Sequence, residues 1–169
     1  VIWHTQGSGK SLTMVFLTIK IRRDPELRDY KMVFITDRTQ LYTQLSATFK
    51  NTQNETVHNA QSVKELKELL KSDASDIIMA MVQKFQESAD ESKFPVLNES
   101  DKILILADEA HRTQYGTLGA AINIGLPNAP KIAFTGTPLI KSEKTSQEFG
   151  SYIDTYTIEQ SVEDGATIQ

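Results

Sequence analysis

The 169-residue chain contains no cysteine. Disulfide bonds and metal sites with cysteine ligands are therefore excluded, and the composition fits a reducing compartment such as the cytoplasm. Long apolar runs are also missing, because the longest, residues 103–107, is far shorter than the roughly 20 residues of a membrane-spanning helix. No signal-peptide pattern opens the sequence. These absences predict a cytoplasmic protein with no membrane partner.

The chain also has no excess of positive charge. It carries 18 Lys and Arg against 22 Asp and Glu, which gives a formal net charge of −4. This balance argues against a protein that coats nucleic acid, but it allows a local groove with a few phosphate contacts. The length suits one α/β domain. Because Val1 begins within an apolar stretch, we expect the chain to be part of a larger protein.

Short apolar or β-branched runs alternate with helical patterns, which predicts βαβ units around a mainly parallel sheet flanked by helices. The predicted strands are residues 1–3, 32–36, 76–82, 103–107 and 131–134, with a weaker one at 152–158. Helices are predicted at 11–21 and 39–49, and after a capping box formed by Ser62 and Glu65. The polar stretch 87–101 predicts a surface excursion. The expected fold class is therefore α/β.

The segment HTQGSGKSLTM, residues 4–14, has the Gly-Lys-Ser ending of a phosphate-binding loop. Lys10 could reach the β- and γ-phosphates of a nucleotide, and the Ser11 hydroxyl could bind Mg²⁺. The alternative is a surface turn followed by a helix, and His4 occupies a position where the usual pattern has glycine. We expect a phosphate-binding loop formed by Gln6, Gly7, Ser8, Gly9, Lys10 and Ser11.

The segment ILILADEAHR, residues 103–112, places two carboxylates directly after an apolar strand. Ligands of open parallel sheets collect outside the carboxyl ends of the strands, so these carboxylates and the phosphate loop are expected in one crevice. Asp108 could hold the Mg²⁺ that bridges the phosphates, and Glu109 could orient and deprotonate the attacking water. The alternative is a pair of exposed carboxylates at the start of a helix. His111 alone is most often an ordinary polar residue.

The order HTQGSGKS, DEAH and FTGTP (residues 134–138) resembles motifs I, II and III of superfamily 2 helicases and translocases. VFITDRTQLYTQL (33–45) is similar to motif Ia, and MVQKF (81–85) resembles the segment beside motif Ib. As a set, including the histidine in the loop, these motifs resemble the motor of type I restriction endonuclease R subunits. YTIEQSVEDGAT (156–167) also looks like the connector to the second motor lobe of that family.

The resemblance implies a three-layer RecA-like P-loop domain over residues 1–169, with residues 141–169 beginning the connector. It implies ATP and Mg²⁺ as cofactors. The catalytic residues would be Lys10, Asp108, Glu109 and His111, and the protein ligands of the metal would be Ser11 and Asp108. His111 would couple the nucleotide site to motif III, formed by Thr135, Gly136 and Thr137, with the two threonines as its hydrogen-bonding partners. The residues that face the DNA backbone would be Thr36, Arg38, Gln40, Gln83 and Lys84, although a single Arg or Lys is more often a solvated surface charge.

The implied partners are double-stranded DNA, the second motor lobe of the same chain, and the modification and specificity subunits of a restriction complex in a bacterial or archaeal cytoplasm. Thr-Gly-Thr in motif III, where RNA-unwinding DEAH proteins usually have Ser-Ala-Thr, favours a translocase. An isolated lobe lacks the arginine finger of its partner lobe, so we expect it to hydrolyse ATP barely at all. Two alternatives stay open: another superfamily 2 DNA or RNA helicase, and a non-catalytic nucleotide-binding scaffold.

Overall fold

The structure is a computed structural model that describes residues 1–36, 38–49, 55–81, 95–108, 114–137 and 149–166. Strands and helices alternate along most of the chain. The strands are β1 Ile2–His4, β2 Lys31–Thr36, β3 Val57–Asn59, β4 Ile77–Met81, β5 Ile103–Asp108, β6 Lys131–Thr135 and β7 Asp154–Tyr156. The helices are α1 Lys10–Arg23, α2 Thr39–Phe49, α3 Val63–Lys71, α4 Gln114–Gly125 and α5 Ile158–Glu163.

The strands form one seven-stranded sheet in the order β3-β4-β2-β5-β6-β1-β7. Every strand pair within the described ranges is parallel, so the carboxyl ends of the strands meet at one edge of the sheet. The two central strands, β2 and β5, are buried along their whole length, as expected of apolar strands covered on both faces. The predicted parallel sheet is confirmed.

Helices cover both faces of the sheet, because side chains alternate along each strand. Met32 and Phe34 of β2 belong to a core that includes Met14 of α1 and Leu41 and Leu45 of α2. Val33 and Ile35 point to the opposite face, in a core with residues of α3 and α4: Leu66, Leu70, Ala121 and Ile122. The three-layer architecture is therefore confirmed.

The sequence of helix α1 is apolar nearly all round, which predicts a helix packed under the sheet, but the helix is covered only in part. Met14 and Val15 are buried, but Leu12 and Phe16, one turn apart, are 52% and 61% exposed. The apolar pattern thus overstates how much of this helix the sheet covers. No helix in the described ranges combines the length and apolarity needed to cross a membrane.

The polar composition of 87–101 predicts a surface excursion, and its described residues, 95–101, are mostly exposed; residues 87–94 lie outside the described ranges. Leu97 is the buried exception among them, and its N–H donates to the carbonyl of Gly125 over 2.8 Å. The last part of the chain differs from prediction. The extended segment expected at 152–158 ends at Tyr156. Thr157 and Gln160 form a complete capping box there, which starts α5 instead.

The capping prediction for α3 is confirmed in part. The Ser62 hydroxyl accepts a hydrogen bond from the Glu65 N–H at 3.1 Å. The Glu65 carboxylate, however, accepts from the N–H of Gln61 at 2.8 Å, one residue before the cap. The helix start is still satisfied on both sides, because both hydrogen bonds hold the chain that enters α3.

Arg22, near the end of α1, ties together chain segments that are distant in sequence. Its Nη1 donates to the carbonyls of Arg28 and Tyr30 at 2.8 and 2.6 Å, and its Nη2 donates to that of Ser75 at 2.6 Å. Its Nε lies 2.6 Å from the carboxylate of Glu55. The guanidinium thereby fixes the entrance to β2 relative to β3 and β4.

Candidate active site

The carboxyl edge of the sheet brings the predicted motifs to neighbouring strands. β1 leads into the predicted phosphate loop and pairs with β6, so that Trp3 lies opposite Thr135. β6 in turn pairs with β5, with Phe134 opposite Asp108. The loop follows β1 and Asp108 ends β5, and β6 lies between these two strands. Residues 135–137, at the end of β6, therefore lie between the loop and Asp108.

The loop turns sharply into α1 through two glycines. Gly7 and Gly9 have φ angles of 88° and 86°, a left-handed conformation that side chains with a Cβ disfavour. Gly9 is the N-cap of α1, and no side chain caps this helix start. The Ser8 hydroxyl instead braces the turn by donating to the Thr5 carbonyl at 2.6 Å. The first turn of α1 thus carries the positive end of a 14-residue helix dipole at the mouth of the loop.

Lys10 lies under this loop and is only 6% exposed. Its Nζ donates to the carbonyls of His4 and Thr5 at 3.2 and 3.4 Å. A Cβ built on Gly136 would lie 3.0 Å from the Lys10 Nζ and 3.6 Å from the Gln6 backbone nitrogen. The segment after β6 therefore packs directly on the ammonium group, and it fits there because position 136 has no side chain.

Asp108, at the end of β5, is 4% exposed and is contacted by two residues of motif Ia. The Thr36 hydroxyl donates to Asp108 Oδ2 at 3.3 Å, and the Arg38 Nε lies 3.4 Å from the same oxygen. The N–H of Arg38 donates to the Thr36 hydroxyl oxygen at 3.0 Å, which holds the two residues together. The carboxylate is thus connected to the end of β2 as well as to β5.

Some of the remaining predicted residues are described by the structure, and the others lie outside the described ranges. Thr135 is fully buried, and its hydroxyl donates to the Thr137 carbonyl and accepts from the Thr137 N–H, at 3.2 and 3.3 Å. Gln40 is exposed on α2, whereas Thr36 is buried with its hydroxyl on Asp108. Four predicted residues lie outside the described ranges, namely Gln83, Lys84, Glu109 and His111.

One cluster at this edge was not predicted. The His4 Nε2 lies 2.6 Å from Asp154 Oδ2, and its ring meets that of Tyr156 edge-on, with centroids 5.7 Å apart. The Tyr156 hydroxyl donates to Asp164 at 2.8 Å, and this hydrogen bond is the main cause that raises the pKa of Tyr156. The unusual His4 was the only sequence signal, and nothing in the sequence indicated its partners.

The chemistry of the site suits a Mg²⁺–nucleotide complex. Ser11 and Asp108 offer oxygen ligands, which Mg²⁺ prefers, and Mg²⁺ commonly completes its shell with water and phosphate oxygens. The loop amides, the helix dipole and Lys10 provide positive charge for the phosphates. The residues present therefore fit ATP with Mg²⁺.

Comparison with known proteins gives a consistent family assignment. The family model described as SWI2/SNF2 ATPase matches residues 1–169. The Type I restriction enzyme HindI endonuclease subunit of Haemophilus influenzae is 40% identical over 185 residues, which cover 99% of this chain and 18% of that protein. A protein of Methanocaldococcus jannaschii named as the MjaIXP endonuclease subunit is 40% identical over 169 residues, 99% of this chain and 16% of that protein. The similarity to type I restriction subunits inferred from the motifs is thus confirmed.

Solved structures agree on the fold. A fragment described as the HsdR subunit of a type I restriction enzyme from Vibrio vulnificus superposes with a TM-score of 0.57 at 21% identity, covering 97% of this chain and 27% of the other. The helicase domain of Hef from Pyrococcus furiosus gives 0.55 at 17% identity, covering 92% and 34%. The fold is that of a RecA-like helicase domain. The chain spans less than a fifth of the length of the two endonuclease subunits.

Proposed function

The chain belongs to the SWI2/SNF2 ATPase family, and on that premise we propose that it is the first motor lobe of an ATP-driven translocase on double-stranded DNA. One observation carries this proposal: the buried Lys10 lies against Gly136 of motif III, and the buried Asp108 lies one strand beyond it at the same sheet edge. A surface turn would leave its lysine in solvent, whereas Lys10 is only 6% exposed.

In this proposal, the residues of the loop hold the nucleotide. The six residues from Gln6 to Ser11 surround the phosphates, and Lys10 exchanges its two carbonyl acceptors for phosphate oxygens. Ser11 and Asp108 would hold Mg²⁺, which would supply positive charge to neutralise the transferring phosphoryl group. Because Asp108 and Lys10 are almost fully buried, their interactions with the nucleotide are only weakly screened by water.

The step of hydrolysis is assigned to residues that follow Asp108 in motif II. Glu109 orients the attacking water and takes up its proton. His111 passes the state of the nucleotide site to Thr135, Gly136 and Thr137 of motif III, of which Gly136 packs against Lys10. Arginine from a second lobe completes the charge stabilisation and accounts for about 10³- to 10⁵-fold in rate, so this lobe alone turns over slowly.

Duplex DNA is proposed as the track because the relatives are named as type I restriction endonuclease subunits. Arg38 connects this role to the nucleotide site: its side chain is 38% exposed and its Nε lies 3.4 Å from Asp108. Together with Gln40, Gln83 and Lys84, it would hold the DNA backbone, which gives grip without sequence preference. Thr36 is fully buried, so it would not contact DNA itself and would instead hold Arg38 beside Asp108. Modification and specificity subunits would then supply the sequence choice.

The proposal predicts the effect of two substitutions in the complete protein. Lys10→Ala removes a positive charge that would contact the phosphates, and Asp108→Asn removes the negative charge that would hold Mg²⁺. Each should lower the rate of ATP hydrolysis by about 100-fold or more, because each removes, directly or through the metal, positive charge that stabilises the transition state. Steady-state phosphate release with and without duplex DNA measures this.

The matched control is Lys20→Ala, which removes an exposed lysine from the same helix α1. It should leave the rate unchanged. Stimulation by single-stranded or duplex RNA but not by duplex DNA would support another superfamily 2 motor. Wild-type protein that binds no nucleotide, or Lys10→Ala protein that hydrolyses ATP at the wild-type rate, would overturn the proposal.

A further inference from the structure

We propose that His4 is a positioning residue for the phosphate loop. The backbone carbonyl of His4 holds the Lys10 ammonium, and the side chain of His4 is in turn held by β7. This inference rests on the proposed function, because it assigns Lys10 to the nucleotide. It assigns a role to a residue that stands where the usual loop pattern has glycine.

His4 bonds in two directions. Its carbonyl accepts from the Lys10 Nζ at 3.2 Å, and its ring Nε2 lies 2.6 Å from the Asp154 carboxylate. The His4 side chain is only 13% exposed, whereas Asp154 is 62% exposed. A short hydrogen bond to a carboxylate is stronger than one between neutral groups, so it restricts the ring to one orientation.

The backbone of β7 reinforces this contact. β1 and β7 pair in parallel, with His4 opposite Tyr156, and the N–H of Thr5 donates to the Tyr156 carbonyl at 3.0 Å. The Tyr156 ring lies edge-on to His4, and its hydroxyl is held by Asp164, directly after α5. Both residues whose carbonyls accept from Lys10, His4 and Thr5, are thus anchored to β7.

Glycine at position 4 would lose this arrangement without gaining anything. His4 lies within strand β1, where the backbone is extended and any residue fits. The side chain therefore serves the contact with Asp154, while the left-handed turns of the loop are left to Gly7 and Gly9. A displacement of β7 would be transmitted through His4 to the acceptors of Lys10.

The test measures the affinity of the complete protein for a fluorescent, non-hydrolysable ATP analogue with Mg²⁺. His4→Gly and Asp154→Ala should each weaken binding by about three- to tenfold, the range expected for one partly exposed, charge-assisted hydrogen bond. The double variant should be no weaker than the worse single variant, because both changes break one contact. His4→Gln, whose side-chain N–H reaches a similar position, should recover most of the affinity.

Glu163→Gln is the matched control, since it neutralises an exposed carboxylate on α5 and should leave the affinity at the wild-type value. Melting temperatures of all variants separate lost positioning from lost stability. Unchanged affinity in His4→Gly, strict additivity in the double variant, or equal losses in His4→Gln and His4→Gly would overturn the inference. If the wild type binds the analogue, these outcomes leave the proposed function standing; if it binds no nucleotide, both fall.

Discussion

At the scale of single residues, Gly136 shows how closely two motifs meet. A Cβ at this position would lie 3.0 Å from the Lys10 Nζ, which leaves no room for a methyl group unless the ammonium shifts by a few tenths of an ångström. The backbone nitrogen of Gln6, at 3.6 Å, is at an ordinary contact distance. The Lys10 ammonium, rather than the backbone, therefore limits the size of the side chain at position 136.

This close approach yields a prediction for Gly136→Ala in the complete protein. The methyl group should displace the Lys10 ammonium and weaken ATP-analogue binding by roughly 1 kcal/mol, about fivefold, with little change in melting temperature. Gly136→Val should weaken binding further, because its side chain is larger. Binding titrations and thermal melts measure the two quantities. Affinity that is equal in all three proteins would show that the segment after β6 does not restrict Lys10.

Predictability from sequence is uneven at this scale. The loop glycines, Lys10 and Asp108 could be located because their spacing and the apolar strands before them follow from local backbone chemistry. The contacts of Asp108 with Thr36 and Arg38 depend on which strands become neighbours, since 72 positions separate Thr36 from Asp108. The His4–Asp154 contact, across 150 positions, depends on β7 lying beside β1, which no local pattern encodes.

At the scale of secondary-structure elements, long apolar patterns are predictable and short segments are not. α2 matches its prediction because Leu41, Leu45 and Phe49 recur with the helical period. β2 matches because its apolar run is continuous, as in a strand buried on both faces. β3 was missed, since its three residues, including His58 and Asn59, carry no strand pattern and pair only with β4. The start of α5 was missed because a single Thr–Gln capping box outweighs the β propensity of the residues before it.

The junction of α1 with β2, β3 and β4 allows a prediction about stability. Arg22→Lys keeps the charge but provides one ammonium where the guanidinium serves three carbonyls and Glu55. The free energy of unfolding should fall by about 1–3 kcal/mol, because the partly buried Tyr30 carbonyl loses its donor and the mostly buried Glu55 carboxylate loses the guanidinium.

Chemical denaturation measures this change, and Arg23→Lys is the control. Arg23 is the exposed neighbour of Arg22 on the same helix, so its substitution should alter stability by less than about 0.5 kcal/mol. A loss of equal size in both variants would mean that the contacts of Arg22 do not support the junction more than those of its exposed neighbour.

At the scale of the whole molecule, the strand order predicts a gradient of local stability. β2 and β5 are central and buried along their length, whereas β3 and β7 are three-residue strands at the two edges. In native-state hydrogen exchange, amides of β2 and β5 should therefore exchange only through global unfolding, and those of β3 and β7 through smaller openings. Protection of β7 amides equal to that of β5 would contradict this gradient.

The position of β1 between β6 and β7 has a consequence for synthesis of the protein. Of the seven strands of this sheet, β1 leaves the ribosome before the other six. Both of its neighbours, β6 and β7, follow more than a hundred residues later. At roughly 5–20 residues per second, the nascent segment that carries the phosphate loop waits several seconds or longer with its strand unpaired on both sides. The part of the chain that handles the nucleotide is thus translated early and assembled late.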